Sequence, residues 1–224
     1  MKSALLFRKV SYVLKARATP GLNAWKRWIT VQTTPNQNSL MFFPGKTLSL
    51  KGTKDFPSAE SAKVSPLATS LFQIQGINNV FFGADFITVT KRDGLSWEAV
   101  EQDITKTISE FFKSGAELLS QGAESTDEHK DDSCEVTSII REILDDRIRP
   151  SIQTDGGDVV LVSFDIDSGV VVVKLQGACT TCSSSKATLK NMVESMLMYY
   201  IPEVKEVVAL EDPAQRRSRT WWRA

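Results

Sequence analysis

Two cysteines three positions apart are the residues of this sequence best suited to chemistry. They stand in Gly177-Ala178-Cys179-Thr180-Thr181-Cys182, with Ser183-Ser184-Ser185 after them. The surrounding pattern predicts a strand before the motif and a helix after it. Both thiols then sit at a helix N-terminus, where unpaired N–H groups and the helix dipole favour negative charge. Such a site favours the thiolate, the species that ligates metals and attacks electrophiles. Gly177 and Ala178 leave room for something bulky to approach the backbone. The neighbouring hydroxyls of Thr180, Thr181 and Ser183 to Ser185 can donate weaker hydrogen bonds to sulfur.

Four chemistries fit that spacing. The pair is half of a four-thiolate site, since zinc and iron–sulfur clusters usually take four ligands. The chain has three cysteines and one histidine, so the missing two thiols then come from a second copy across a symmetric interface. Alternatively the pair is the dithiol of a thiol–disulfide oxidoreductase, a structural zinc site, or two small apolar groups packed at a helix start. Spacing alone leaves all four open. Cys134 and His129 lie among acidic residues and read as solvated groups. Met192, Met196 and Met198 read as core packing, and Asp155 and Asp158 as turn formers beside two glycines. No phosphate-cradling loop and no nucleophile–base constellation is present, so the chain does not read as an enzyme.

The elements that position the motif belong to a domain over residues 135–210. Val136, Ile139, Ile140, Ile143, Leu144 and Ile148 form a helical stripe that Pro150 is expected to end. Asp155-Gly156-Gly157-Asp158 is a turn. Val159 to Phe164 and Val170 to Leu175 are β-branched strands around a hairpin loop. After Cys182, Leu189, Met192, Val193, Met196, Leu197 and Tyr200 recur at helical spacing until Pro202, and Val204 to Leu210 is a last strand. Helix, strand, strand, helix, strand suits a small α+β domain.

A second unit spans residues 31–112. Val31 to Thr34 and Leu40 to Phe43 read as strands, broken by Pro35-Asn36 and closed by Pro44-Gly45. Ser65-Pro66 is a helix start, with Ser as cap and Pro in the first turn. Ile77 to Phe82 and Asp85 to Lys91 are strands around Gly83-Ala84. Trp97, Val100, Ile104, Ile108 and Phe111 mark an amphipathic helix. Residues 113–134 are a polar, acidic linker that cannot bury enough apolar area to order itself. The fold class expected is therefore α+β: two small α+β domains joined by a flexible acidic linker.

Net charge of zero over 224 residues hides an asymmetry. Residues 1–54 hold no acidic residue and ten of the 27 basic ones, leaving 17 against all 27 acidic groups beyond them. Leu6, Val10, Val13 and Leu14 share one helical face, with Lys2, Arg8, Lys9, Lys15 and Arg17 around it. A basic, amphipathic, acid-free leader over residues 1–30 is the pattern of a mitochondrial transit peptide. Without residues 1–31 the balance is 20 basic against 27 acidic, which counts against a nucleic-acid partner. The apolar runs are too short for a membrane span. Residues 211–224 form a basic tail containing Trp221-Trp222, read as a tail without a specific partner.

Taken together, Arg149-Pro150, Asp155-Gly156-Gly157-Asp158 and Gly177 to Ser185 resemble the NifU-like C-terminal domain of the Nfu iron–sulfur scaffold proteins. Thr34-Pro35-Asn36, Leu40-Met41-Phe42-Phe43-Pro44-Gly45 and Ser65-Pro66-Leu67-Ala68 resemble that family's N-terminal domain. The resemblance implies a scaffold and carrier of a [4Fe-4S] cluster shared between two chains, with Cys179 and Cys182 as ligands. It implies a homodimer on cluster binding, upstream cluster-assembly factors, and client apo-proteins in the mitochondrial matrix such as lipoate synthase and respiratory-complex subunits. It implies a ligand-free N-terminal domain that docks partner proteins, and residues 31–112 hold no cysteine. A basic, Trp-rich tail is a departure from the family pattern.

Overall fold

The structure, a computed structural model, describes residues 29–48, 50, 52–119, 135–180 and 183–210. The leader, most of the acidic linker and the tail lie outside the described residues, as do His129, Cys134 and Cys182.

Alternating apolar residues build the first unit. Strands β1 (Thr30–Thr33), β2 (Ser39–Phe43) and β3 (Lys54–Phe56) precede helix α1 (Pro66–Phe72). Strands β4 (Ile77–Phe82) and β5 (Ile87–Lys91) and helix α2 (Trp97–Ser114) follow. The strands form one antiparallel sheet in the order β1-β2-β5-β4-β3. Period two along each strand sends Leu40, Phe42, Val80, Phe82, Ile87 and Val89 to one face. There Leu67 and Leu71 of α1 and Val100, Ile104 and Ile108 of α2 complete the core. Each large apolar side chain so buried contributes ~1.5–3 kcal/mol.

The opposite face is also closed. Met41, Thr88 and Phe81 are paired neighbours across β2, β5 and β4, and Asp55 lies beside Phe81 on β3. Phe81 and Thr88 are wholly buried and Met41 nearly so. Strand β3 was not expected, because three residues around one buried Phe56 carry no readable period.

Ser65 does what its type predicts. Its hydroxyl accepts from the Ala68 N–H at the start of α1 and donates to the Leu118 carbonyl at 2.6 Å. The second bond holds chain beyond α2, which ends in left-handed Gly115 (φ 69°). Leu118 and Leu119 pack on the first core, so the packed chain continues past residue 112.

In the second unit, α3 (Glu135–Ile143) runs through a wider π-type turn at Leu144–Ile148 into α4 (Arg149–Thr154). Pro150 was expected to end the helix and instead starts its last segment. The Arg149 N–H reaches back five residues to the Leu144 carbonyl. After this one-residue shift of register Pro150, which has no N–H, sits where a first helical turn needs none. Strands β6 (Gly157–Asp165) and β7 (Val170–Gly177) form an antiparallel hairpin. After a 3-10 turn at Ala178–Thr180, α5 (Ser183–Tyr200) leads to β8 (Glu206–Leu210), which returns parallel to β7. Ile140, Leu144, Ile152, Val159, Val171, Val173, Val193, Leu197 and Val207 form the second core. Met192 and Met196 pack against it as expected, while Met198 and Tyr200 are exposed and Ile201 takes the core position instead.

Replacing Ser65 by Ala removes the α1 cap and the tie to Leu118. We expect the first unit to lose about 1–2 kcal/mol in urea denaturation. An unchanged unfolding midpoint would contradict this account of the α1 start.

Candidate functional site

The cysteine loop is shaped by side chains that are absent. Gly157 opens β6 directly opposite Gly177 at the end of β7. A Cβ on Gly157 would lie 2.4 Å from Cys179 Sγ and 2.7 Å from the Gln176 carbonyl oxygen. The thiol therefore occupies the volume that a larger residue at 157 would fill. Gly177 is left-handed (φ 63°), and a Cβ there would meet the Gly156 carbonyl at 2.7 Å. That carbonyl accepts from the Ala178 N–H at 3.1 Å. The Thr180 hydroxyl donates to the Gly177 carbonyl at 2.8 Å. These bonds fix the turn that carries Cys179, which is 6% exposed and borders the second core. Cys182, the other expected ligand, lies outside the described residues.

An ion pair anchors the glycine turn. Arg149 on α4 holds Asp158 on β6 in a two-point fork, Nε to Oδ1 at 2.9 Å and Nη2 to Oδ2 at 2.7 Å. Asp158 is fully buried, accepts from the Val159 N–H at 2.8 Å and from the Thr53 hydroxyl. The Asp158 hydrogen bond is the main reason the Arg149 guanidinium is held charged well above its ordinary range; burial opposes it and Asp145 adds to it. The expectation that Asp158 merely forms a turn is corrected: its carboxylate is the partner of a half-buried cation. Asp155 caps the end of α4 and fits the expectation.

The first unit supplies the rest of the site, and sequence reasoning did not find this. Asn36 Nδ2 donates to the Ala178 carbonyl at 2.9 Å, and its Oδ1 accepts from the Asn38 N–H. Asp55 Oδ1 accepts from the Gly177 N–H at 3.3 Å and from Asn79 Nδ2 at 3.0 Å. Gly156 lies against Met41, Thr88 and Thr34, and Gly177 against Phe81. One signal was available. Thr34-Pro35-Asn36 and the two glycine motifs, each a family landmark quoted above, meet where Asn36 bonds Ala178 and Thr34 faces Gly156, while Arg149 holds the glycine turn through Asp158. Three buried oxygens, Thr88 Oγ1, Asn79 Oδ1 and Gln176 Oε1, have no hydrogen-bond partner among the described residues.

The chemistry open to this arrangement is ligation by sulfur. The pinned backbone presents one soft donor with little freedom to lose on binding. Among the described residues no group of three or more His, Cys, Asp or Glu side chains lies together. Nor is any described helix long and apolar enough to cross a membrane.

Neutralising Asp158 leaves Arg149 with Asp145 alone. Breaking a fully buried pair costs about 3–5 kcal/mol; Arg149 is a quarter exposed, so we expect Asp158→Asn to cost about 2–3 kcal/mol in urea denaturation of the second unit. A loss below about 0.5 kcal/mol would remove the ion pair from this account.

Comparison with known proteins agrees with the geometry. Residues 29–115 match the family model for the scaffold protein Nfu/NifU N terminal, and residues 140–208 match the NifU-like domain. The chain is 48% identical over 186 residues to the human protein named NFU1 iron-sulfur cluster scaffold homolog, mitochondrial, covering 83% of this chain and 72% of that one. It is 43% identical over 210 residues to the Arabidopsis thaliana NifU-like protein 4, mitochondrial, covering 92% and 72%. The Drosophila persimilis relative, named like the human one, is 43% identical over 211 residues, covering 93% and 74%. An Nfu/NifU N-terminal domain followed by a NifU-like domain whose Gly156-Gly157 turn seats Cys179 places this chain in the Nfu family of scaffold proteins.

Proposed function

We propose that this chain is a mitochondrial iron–sulfur cluster scaffold and carrier. In this reading Cys179 and Cys182 of two chains supply the four thiolates around a [4Fe-4S] cargo. The chain then hands that cargo to apo-proteins of the matrix, lipoate synthase and respiratory-complex subunits among them. The observation that carries the reading is the seat of Cys179. Gly157 leaves space for Sγ, and left-handed Gly177 turns the chain that carries it. The name of the human relative supports the scaffold role, and the human and Arabidopsis names both support the compartment.

Transfer from such a site is ligand exchange. A four-thiolate [4Fe-4S]²⁺ unit carries a charge of about −2, and each α5 N-terminus, beginning at Ser183, offsets part of it. An incoming set of thiols replaces the two cysteines one at a time, so no general acid or base is required. The alternative, a thiol–disulfide oxidoreductase, uses an exposed thiolate as its nucleophile. The names of the relatives favour the scaffold reading over this one.

The test is substitution of either cysteine by Ser, followed by anaerobic loading with iron and sulfide. We expect Cys179→Ser and Cys182→Ser to lose the visible absorption band near about 400 nm while keeping the far-ultraviolet dichroism of the parent. A variant that kept the full band would remove that cysteine from the ligand set.

A further inference from the structure

The scaffold reading leaves one contact without a purpose: the first unit sits on the cysteine loop. Met41, Thr88 and Phe81 form a row across the outer face of the first sheet, and Asp55 continues it. That row meets Gly156 and Gly177 through close side-chain contact and meets the Gly177 N–H through Asp55. Asn36 reaches in from the β1–β2 turn to hold the Ala178 carbonyl. The Ala178 carbonyl immediately precedes Cys179, and the Gly177 N–H lies two residues before it.

We infer that the outer face of the first sheet is a reversible cap for the cysteine loop of its own chain, and that the cap and a cluster shared with a second chain exclude each other. The exclusion half rests on the scaffold reading; the cap itself does not. The first argument is steric. A shared cluster requires each Cys179 Sγ to face another chain. Here Gly177 packs on Phe81 and bonds Asp55, Ala178 bonds Asn36, and Cys179, at the edge of the second core, is 6% exposed. The loop must leave the sheet before a second loop can approach.

The second argument is that, among the described residues, only two hydrogen bonds hold the cysteine loop itself to the sheet, from Asn36 to the Ala178 carbonyl and from the Gly177 N–H to Asp55. Thr88 Oγ1 is buried against Gly156 with no partner among the described residues. Asn79 Oδ1, on the side chain that bonds Asp55, and Gln176 Oε1, next to Gly177, are in the same condition. A cleft of about 200 Å³ also opens between the units, with Leu50 and Thr53 on one side and Asp145, Arg149 and Pro150 on the other. The closed chain holds the cysteine loop on the sheet, and the partner that displaces the sheet is the cysteine loop of a second copy.

The experiment measures alkylation of Cys179 in the full chain without iron, in a Cys134→Ser, Cys182→Ser background that leaves it the sole thiol. Iodoacetamide is the probe, and the rate in urea is the unfolded reference. Two variants open the cap independently. Asn36→Asp keeps the acceptor for Asn38 but loses the donor to Ala178 and sets a negative charge against its carbonyl. Thr88→Arg places a long cation where Gly156 packs. We expect each folded variant to react about ten-fold faster than its parent, because alkylation reports the open fraction of the loop. Rates unchanged in Asn36→Asp, whose conservative change keeps the turn, would overturn the cap. So would a parent that reacts as fast as the unfolded chain. This readout needs no cluster, so failure of the cap and failure of the scaffold reading are separate results. For the exclusion, the same two substitutions in the three-cysteine chain are expected to form the iron-loaded dimer at lower protein concentration than the parent. An unshifted dimerisation curve with a raised alkylation rate would overturn the exclusion.

Discussion

One contact constrains the rest: Cys179 Sγ lies where the side chain of residue 157 would be. With no Cβ at Gly157, β6 and the turn after β7 approach closely enough for the Ala178 N–H to bond the Gly156 carbonyl. That approach requires left-handed backbone at Gly156 and Gly177, which glycine adopts without the penalty other residues meet. The Arg149–Asp158 fork then holds the first residues of β6 against α4, so the glycine turn cannot drift. The Cys179 thiol stands on the 3-10 turn at Ala178–Thr180. Here its position is determined by backbone bonds and one buried ion pair.

The same economy explains why the first unit fits so closely. Without side chains at 156 and 177, the loop presents bare backbone, and a flat sheet face can lie against it. Phe81 and Met41 cover the gap and Asp55 and Asn36 answer the exposed N–H and C=O groups. The outer face of the sheet is therefore buried by a partner from the same chain, in addition to the α1 and α2 face. Antiparallel sheets often leave one face to water, and this one does not.

Much of this was legible in the sequence. The strand at Ile77–Phe82 was read at its observed bounds, the Trp97 helix by its 3.6-residue stripe, and the Ser65 cap by its residue type. Those features are local. The π-type turn before Pro150 was not legible, because the apolar stripe Ile140, Leu144, Ile148 runs through it unbroken. Nor was the role of Asp158 or Asn36. Each is a polar residue in a turn, and its partner lies 9 and 142 positions away. Only the third dimension distinguishes a turn former from an anchor. The Phe81 side chain gave no warning either, since a strand of Val80-Phe81-Phe82 reads as apolar on both faces without saying what covers the second.

The central claim, that two such loops jointly hold one cluster, is tested most directly by stoichiometry. Residues 32–224 would be loaded anaerobically with iron and sulfide, assayed for both, and sized by light scattering. The account predicts about two iron and two sulfide per chain on a dimer, that is, one [4Fe-4S] unit for every two chains. A colourless monomer that instead forms a readily reduced disulfide would contradict it.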